Sequence, residues 1–212
     1  MSLFVPPMSR QLKKLAKKDR LIEAAYELFL EQGSDNVSIQ EIADRAGIAK
    51  GTFYLYFHDR EELKSCIIAQ KSNALFRSAI SALHQTQIYD FEDQIIFIID
   101  YIIEVLATQQ DFLRLITKNL SLGVFNQRLA EVLEVQPDIA DMLTAAAEKS
   151  GLRLKNPRIL LFMIIELTSS TCFSCILDHE PVELAVYKPY LFDVIRQMIR
   201  AGTDDSSANL LL

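Results

Sequence analysis

The segment Ser38–Phe57, SIQEIADRAGIAKGTFYLYF, constrains this chain more than any other part of it. Ser38 and Glu41 stand in the S-x-x-E spacing of a capping box, in which each side chain bonds the other residue's orphan backbone N–H and a helix starts. Ile39, Ile42, Ala43 and Ala46 then fall on one face of that helix. Gly47 stands where the helix must stop and turn, a place for the left-handed backbone that glycine adopts without strain. Ile48 can fill the elbow, and Phe53 and Phe57, one turn apart, can anchor a second short helix to a core. Lys50, Gly51, Thr52, Tyr54 and Tyr56 are left as outward or flanking groups. Small, basic and hydroxylated groups at the start of a short helix suit the major groove of a DNA duplex. The segment reads as a helix-turn-helix.

The rest of the chain reads as helix nearly throughout. Asp59 and Glu62 make a second capping box and open a long helix to about His84. After a break at 85–90 come an apolar stretch, Phe91–Ala107, a shorter segment at Phe112–Leu122, a break at Gly123 and a helix from about Asn126 with a turn near Pro137. Gly151 and Asn156 close that region, and Pro157 suits the first position of the next helix, Arg158–Leu177. Pro181 and Pro189 are expected to bracket a loop, and Pro189–Arg200 to form the last helix. There is no strand-like alternation of useful length and no internal repeat. The expected fold is all-α, with about nine helices.

The net charge of −6 sits badly with a nucleic-acid partner until it is divided along the chain. Residues 1–65 hold ten Lys/Arg against ten Asp/Glu, whereas residues 66–212 hold twelve against eighteen. Arg10, Lys13, Lys14, Lys17, Lys18 and Arg20 form a basic arm with one acid among them, Asp19. Phosphate attraction is screened beyond roughly 8–10 Å, so a local arm beside a groove-reading helix outweighs the chain total. Taken alone, such a run is equally a solvated helix start. No signal peptide is visible, and three cysteines without a paired framework point to a reducing, cytoplasmic setting.

From Arg20 to Leu63 the sequence closely resembles the N-terminal domain of TetR-family transcriptional repressors. The likeness rests on Ile22, Ala24, Ala25, Leu28, Phe29 and Gly33, on the run KGTFYLYF from Lys50 to Phe57, and on Glu62–Leu63. It covers about a fifth of the chain; the remainder is similar to the family only in length and helical character. The resemblance implies a helix-turn-helix domain over residues 1–65 and an effector-binding and dimerisation domain over 66–212. It implies a ligand-responsive regulator, most simply a repressor, that binds a pseudo-palindromic double-stranded operator as a homodimer and leaves it when a small molecule binds. By position, Gln40, Lys50, Thr52 and Tyr54 would read bases, and Gly51 would let the backbone approach. Ser38, Tyr56, His58, Arg60 and Lys64 would contact phosphates. The bland alternative for Tyr54 and Tyr56 is packing against the first helix. The last two helices, about 158–178 and 189–200, would pair with those of a second copy.

The effector pocket is expected among the long helices of the second part. Phe97, Tyr101, Phe112, Phe125, Phe162 and Glu166 are its candidate lining, and for each of them except Glu166 ordinary core is the commoner role. Glu166, a carboxylate in an apolar helix, calls for a partner: a cationic ligand, Arg114 or Lys118. The run Arg158–Leu177 approaches bilayer length, but Glu166 and five hydroxyl residues in its second half argue against a membrane span. Cys172, Cys175 and His179 share a helix face, but a zinc site needs a fourth ligand and nothing offers a second pair, so no metal is expected. No cofactor is expected either. With three histidines in different elements and no P-loop, G-x-S-x-G or G-x-G-x-x-G, catalysis has no support. The competing function class is an all-helical small-molecule or lipid carrier whose helix-turn-helix reads no DNA.

Overall fold

The computed structural model describes residues 10–116 and 139–204. Lys118, Leu122, Gly123, Phe125, Asn126 and Pro137 lie outside them. The described residues form nine helices and one pair of two-residue strands, so the fold is all-α. The chain divides into two compact units, residues 1–67 and 68–212.

The first unit comprises α1 (Arg10–Gln32), α2 (Ile39–Arg45), α3 (Lys50–Phe53) and the opening of α4 (Arg60–Leu83). The basic run read as an arm is the beginning of α1, because no glycine or proline interrupts the good helix formers between Arg10 and Gln32. Leu21, Ala25, Leu28 and Phe29 form its buried stripe at helical spacing. Gly33, with φ +80°, ends it, and its N–H returns to the Phe29 carbonyl at 3.0 Å. Ile42 and Ala43 of α2, Phe53 of α3 and Leu63 of α4 complete a core of fully enclosed side chains.

The second unit contains the rest of α4, α5 (Phe91–Thr108), α6 (Gln110–Ile116), α7 (Ile139–Lys149), α8 (Pro157–Leu177) and α9 (Leu184–Gly202). Asn156 caps α8 through the Ile159 N–H at 3.0 Å, and Pro157 takes the first turn, as its spacing predicts. The last helix departs from expectation: it starts at Leu184 and runs through Pro189. Leu184, Tyr187, Leu191, Ile195 and Ile199 form one continuous inward stripe, with Pro189 exposed on the outer side. That stripe outweighs the single backbone hydrogen bond a proline removes. A further departure from the all-helical reading is small: β1 (Arg153–Leu154) pairs antiparallel with β2 (Thr203–Asp204).

Ion pairs fix α9 against α5. Lys188 binds Asp100 and Glu104, Arg196 binds Asp93 at 2.6 Å, and Arg200 forks onto Glu92 with both contacts at 2.8 Å. The Arg200 hydrogen bonds, with the Arg196 charge beside them, hold the Glu92 carboxyl below its ordinary 4.5. A carboxylate depressed in the folded state stabilises above its unfolded pKa, and that contribution is lost as pH falls through the folded value. Glu92→Gln should therefore melt lower than wild type at neutral pH, with the gap closing as pH drops below 4.5. Thermal melts across that range check it; a gap constant with pH would show that Glu92 does not titrate against the arginines.

Candidate DNA-binding face and effector cavity

The helix-turn-helix is set by short-range bonds. Glu41 donates its N–H to the Ser38 hydroxyl at 3.2 Å, and its carboxylate accepts the Ser38 N–H at 2.8 Å and hydroxyl at 2.7 Å. Those donors hold the Glu41 carboxyl below its usual range. At the other end of α2, Arg45 reaches Glu31 at 2.9 Å and Glu27 at 3.3 Å on α1. Gly47, with φ +64°, makes the turn; its N–H bonds the Asp44 carbonyl at 3.1 Å, and Ile48 N–H bonds that of Ala43 at 3.0 Å.

The second helix is short, spanning Lys50–Phe53. Regular helix ends at Phe53, and Tyr54–Tyr56 follow as a tight turn with Leu55 N–H on Thr52 O at 3.2 Å and Tyr56 N–H on Phe53 O at 2.9 Å. The tightening brings Phe57 into the core beside Phe53, ring centroids 5.8 Å apart. Lys50 and Gly51 are exposed, Thr52 and Tyr56 half-buried, and Tyr54 is 54% exposed, its ring edge-on to Phe53. A Cβ built on Gly51 would meet nothing within 4 Å, so nothing inside the chain calls for glycine there. Glycine in a helix costs about 1 kcal/mol relative to alanine.

The flanking residues are more occupied than the sequence suggests. Gln40 donates to Asp44 at 2.8 Å. Arg60 donates to the carbonyls of Asp35 and Val37, both at 3.0 Å, and Lys64 lies 3.8 Å from Asp35, so both side chains pin the turn before α2. Sequence reading missed this, because a pairing across some twenty-five positions leaves no local trace. Glu62 donates its N–H to Asp59 at 2.8 Å, but its carboxylate accepts from the His58 N–H, one residue earlier than a capping box requires. Ser38 and His58 are exposed.

In the second unit, α4 to α8 enclose a cavity of about 760 Å³. Its wall is an isoleucine-rich stripe of α5 (Ile95, Ile98, Ile99, Ile102, Leu106) facing Leu161, Ile164 and Ile165 of α8. Phe97, Tyr101, Phe112, Phe162 and Glu166 do not line it, and Phe125 lies outside the described residues. The signal was present in the sequence: the i, i+3, i+4 spacing of the isoleucines marks one face, while Phe97–Tyr101 and Phe162–Glu166 are i, i+4 pairs on others. Glu166 is half-buried and forms no ion pair with Arg114; Lys118 is outside the described residues. Two hydroxyls on the cavity wall, Ser72 and Thr168, are buried and have no hydrogen-bond partner. Each such group costs about 1–3 kcal/mol while unmet.

Cys172 also lines the cavity, and burial pushes its thiol up to about 12. Burial raises Cys175 too, so neither is a thiolate at neutral pH. His179 is exposed, 3.0 Å from Glu183, and among the described residues no cluster of His, Cys, Asp or Glu could hold a metal. Among the described residues α8 alone is long and apolar enough to cross a membrane, and a third of that window is buried.

Comparison with known proteins agrees with this geometry. Residues 21–64 match the model of the tetR family of bacterial regulatory proteins. An uncharacterized HTH-type transcriptional regulator of Bacillus subtilis, YvdT, is 45% identical over 47 residues, which are 22% of this chain and 24% of that protein. The fatty acid metabolism regulator protein of Bacillus subtilis is 26% identical over 169 residues, 75% of this chain and 84% of that one. The Bacillus subtilis transcriptional regulator FadR, solved in complex with stearoyl-CoA, has the same fold: TM-score 0.56 at 19% identity, over 84% of this chain and 96% of that one. The matched segment is the one that holds the capping box, the Gly47 turn and the exposed Lys50, Gly51 and Tyr54, and over it the chain is similar to the tetR family of bacterial regulatory proteins.

Proposed function

We propose that the protein represses transcription by binding a pseudo-palindromic operator as a homodimer, and lets it go when a small, hydrocarbon-rich molecule fills the cavity. The observation that carries the DNA contact is Gly51, a helix-weakening residue that no neighbour in the chain requires, on an exposed surface with Lys50 and Tyr54. Close approach of another molecule's backbone explains it. Lys50, Thr52 and Tyr54, with Gln40, read base edges, and Ser38, Tyr56 and His58 contact phosphates. Arg60 and Lys64 serve first by holding the 35–37 turn. The lysines at the start of α1 add phosphate attraction.

Release follows from linkage. A ligand preferring the conformation in which the two reading heads are misplaced lowers operator affinity by its differential affinity for the two states. The apolar wall supports a hydrocarbon-rich effector, as does the likeness to a FadR solved with stearoyl-CoA. Selection of genomic fragments by the purified protein, followed by titration of salt, tests the reading. Several phosphate contacts predict a steep loss of affinity as salt rises. If no fragment is enriched and no duplex binds at low salt, the carrier alternative takes over.

A further inference from the structure

The cavity is polar at one end, and the chain's own contacts place those groups together. Lys155 donates its N–H to Gly202 at 2.8 Å and its ammonium to Ala201 at 3.0 Å, tying the α7–α8 connection to the end of α9. Arg200 and Arg196 tie that same end to Glu92 at the start of α5. The segment joining α4 to α5 enters there too. His84 and Tyr89 from that segment, and Lys149 and Ser150 from the end of α7, are exposed members of the lining carried by the segments so tied, which is the end we take as the mouth. Lys149 makes no ion pair among the described residues and is the one Lys or Arg on the wall.

The two unmet hydroxyls stand far from it at similar depth. Ser72 precedes His84 by twelve residues on α4, about 18 Å of helix, and Thr168 follows Pro157 by eleven on α8, about 16 Å. Ser72 is only 9% exposed. Between mouth and hydroxyls the wall is mostly isoleucine and leucine, with Phe76 on α4 and Met142, Ala145 and Ala146 on α7.

We propose that the cavity takes a long-chain carboxylate bearing a second oxygen function at its far end. The carboxylate sits at the mouth beside Lys149 and His84, the chain runs along the α5 stripe, and the terminal hydroxyl or carbonyl pairs with Ser72 and Thr168. This rests on reading the cavity as the effector site, and it adds which effectors are told apart. A purely apolar chain would leave both buried hydroxyls unmet, and a polar site discriminates by what it leaves unpaired.

Isothermal titration of the full chain, without DNA, with palmitic acid and with its ω-hydroxy analogue tests the proposal. The wild type should bind the hydroxylated acid about tenfold more tightly, the worth of a net buried hydrogen bond. In Ser72→Ala and Thr168→Val the ratio of the two affinities should fall toward one. A wild-type ratio near one overturns the proposal without needing either variant, and so does a variant that folds and keeps the full preference. If neither acid binds, the effector reading of the cavity fails with it; if both bind equally, only the terminal pairing fails.

Discussion

Replacing Thr52 and Tyr54 together by alanine should lower affinity for the selected operator by at least about thirtyfold while weak, sequence-independent binding persists. A good base contact is worth about 1–3 kcal/mol of discrimination, so two give about 2–6 kcal/mol per reading head, with every 1.4 kcal/mol a factor of about ten. Neither residue supports the core: Tyr54 is 54% exposed, and the fully enclosed Phe53 carries the packing of that turn. The loss should therefore appear in binding and leave the helical signal in circular dichroism intact. Fluorescence anisotropy with the operator and a scrambled duplex separates the two components. An unchanged ratio between the duplexes would mean that other residues read the sequence. Lys14→Ala with Lys17→Ala at the start of α1, by contrast, should flatten the salt dependence and weaken both duplexes alike.

The reading head was legible because its determinants are local. A capping box, a left-handed glycine and two aromatic anchors one turn apart all act within a few residues, and Ser38–Glu41, Gly47 and Phe53–Phe57 stand as their spacing predicts. The α3 boundary was not legible, because burial of Phe57 tightens Tyr54–Tyr56 into a turn that propensity alone would have continued as helix. Pro189 misled for the opposite reason. A proline signals a helix start locally, but the inward stripe from Leu184 to Ile199 decided where α9 begins.

The cavity shows a third kind of limit. Periodicity identified α5 and α8 as apolar helices, yet the aromatic residues expected as lining lie off the helix phase that faces the cavity. Phase would have chosen Ile95, Ile98 and Ile102 over Phe97 and Tyr101. The unmet hydroxyls of Ser72 and Thr168 could not be read from sequence, since a missing partner is a property of packing.

Introducing charge on the outer faces of the last two helices should separate the proposed homodimer and with it cooperative operator binding. Ile159, Phe162 and Met163 on α8, and Val186, Tyr190 and Val194 on α9, are exposed apolar residues, with Tyr190 at 70% and Phe162 at 47%. A soluble chain rarely leaves such a face in water, and a second copy offers the same face in return. Phe162→Glu with Tyr190→Glu places four carboxylates in a twofold interface, where each would lose its water without a partner. Linking two half-site contacts in one particle raises affinity by about 10²–10⁴ over either alone, so separated subunits should lose operator affinity on that scale. Sedimentation should show monomer, and each subunit should keep its fold, because both positions face away from the cores. The reading of this face is wrong if the double variant sediments as wild type. A variant that is monomeric yet holds the operator with unchanged affinity would sever dimerisation from DNA binding.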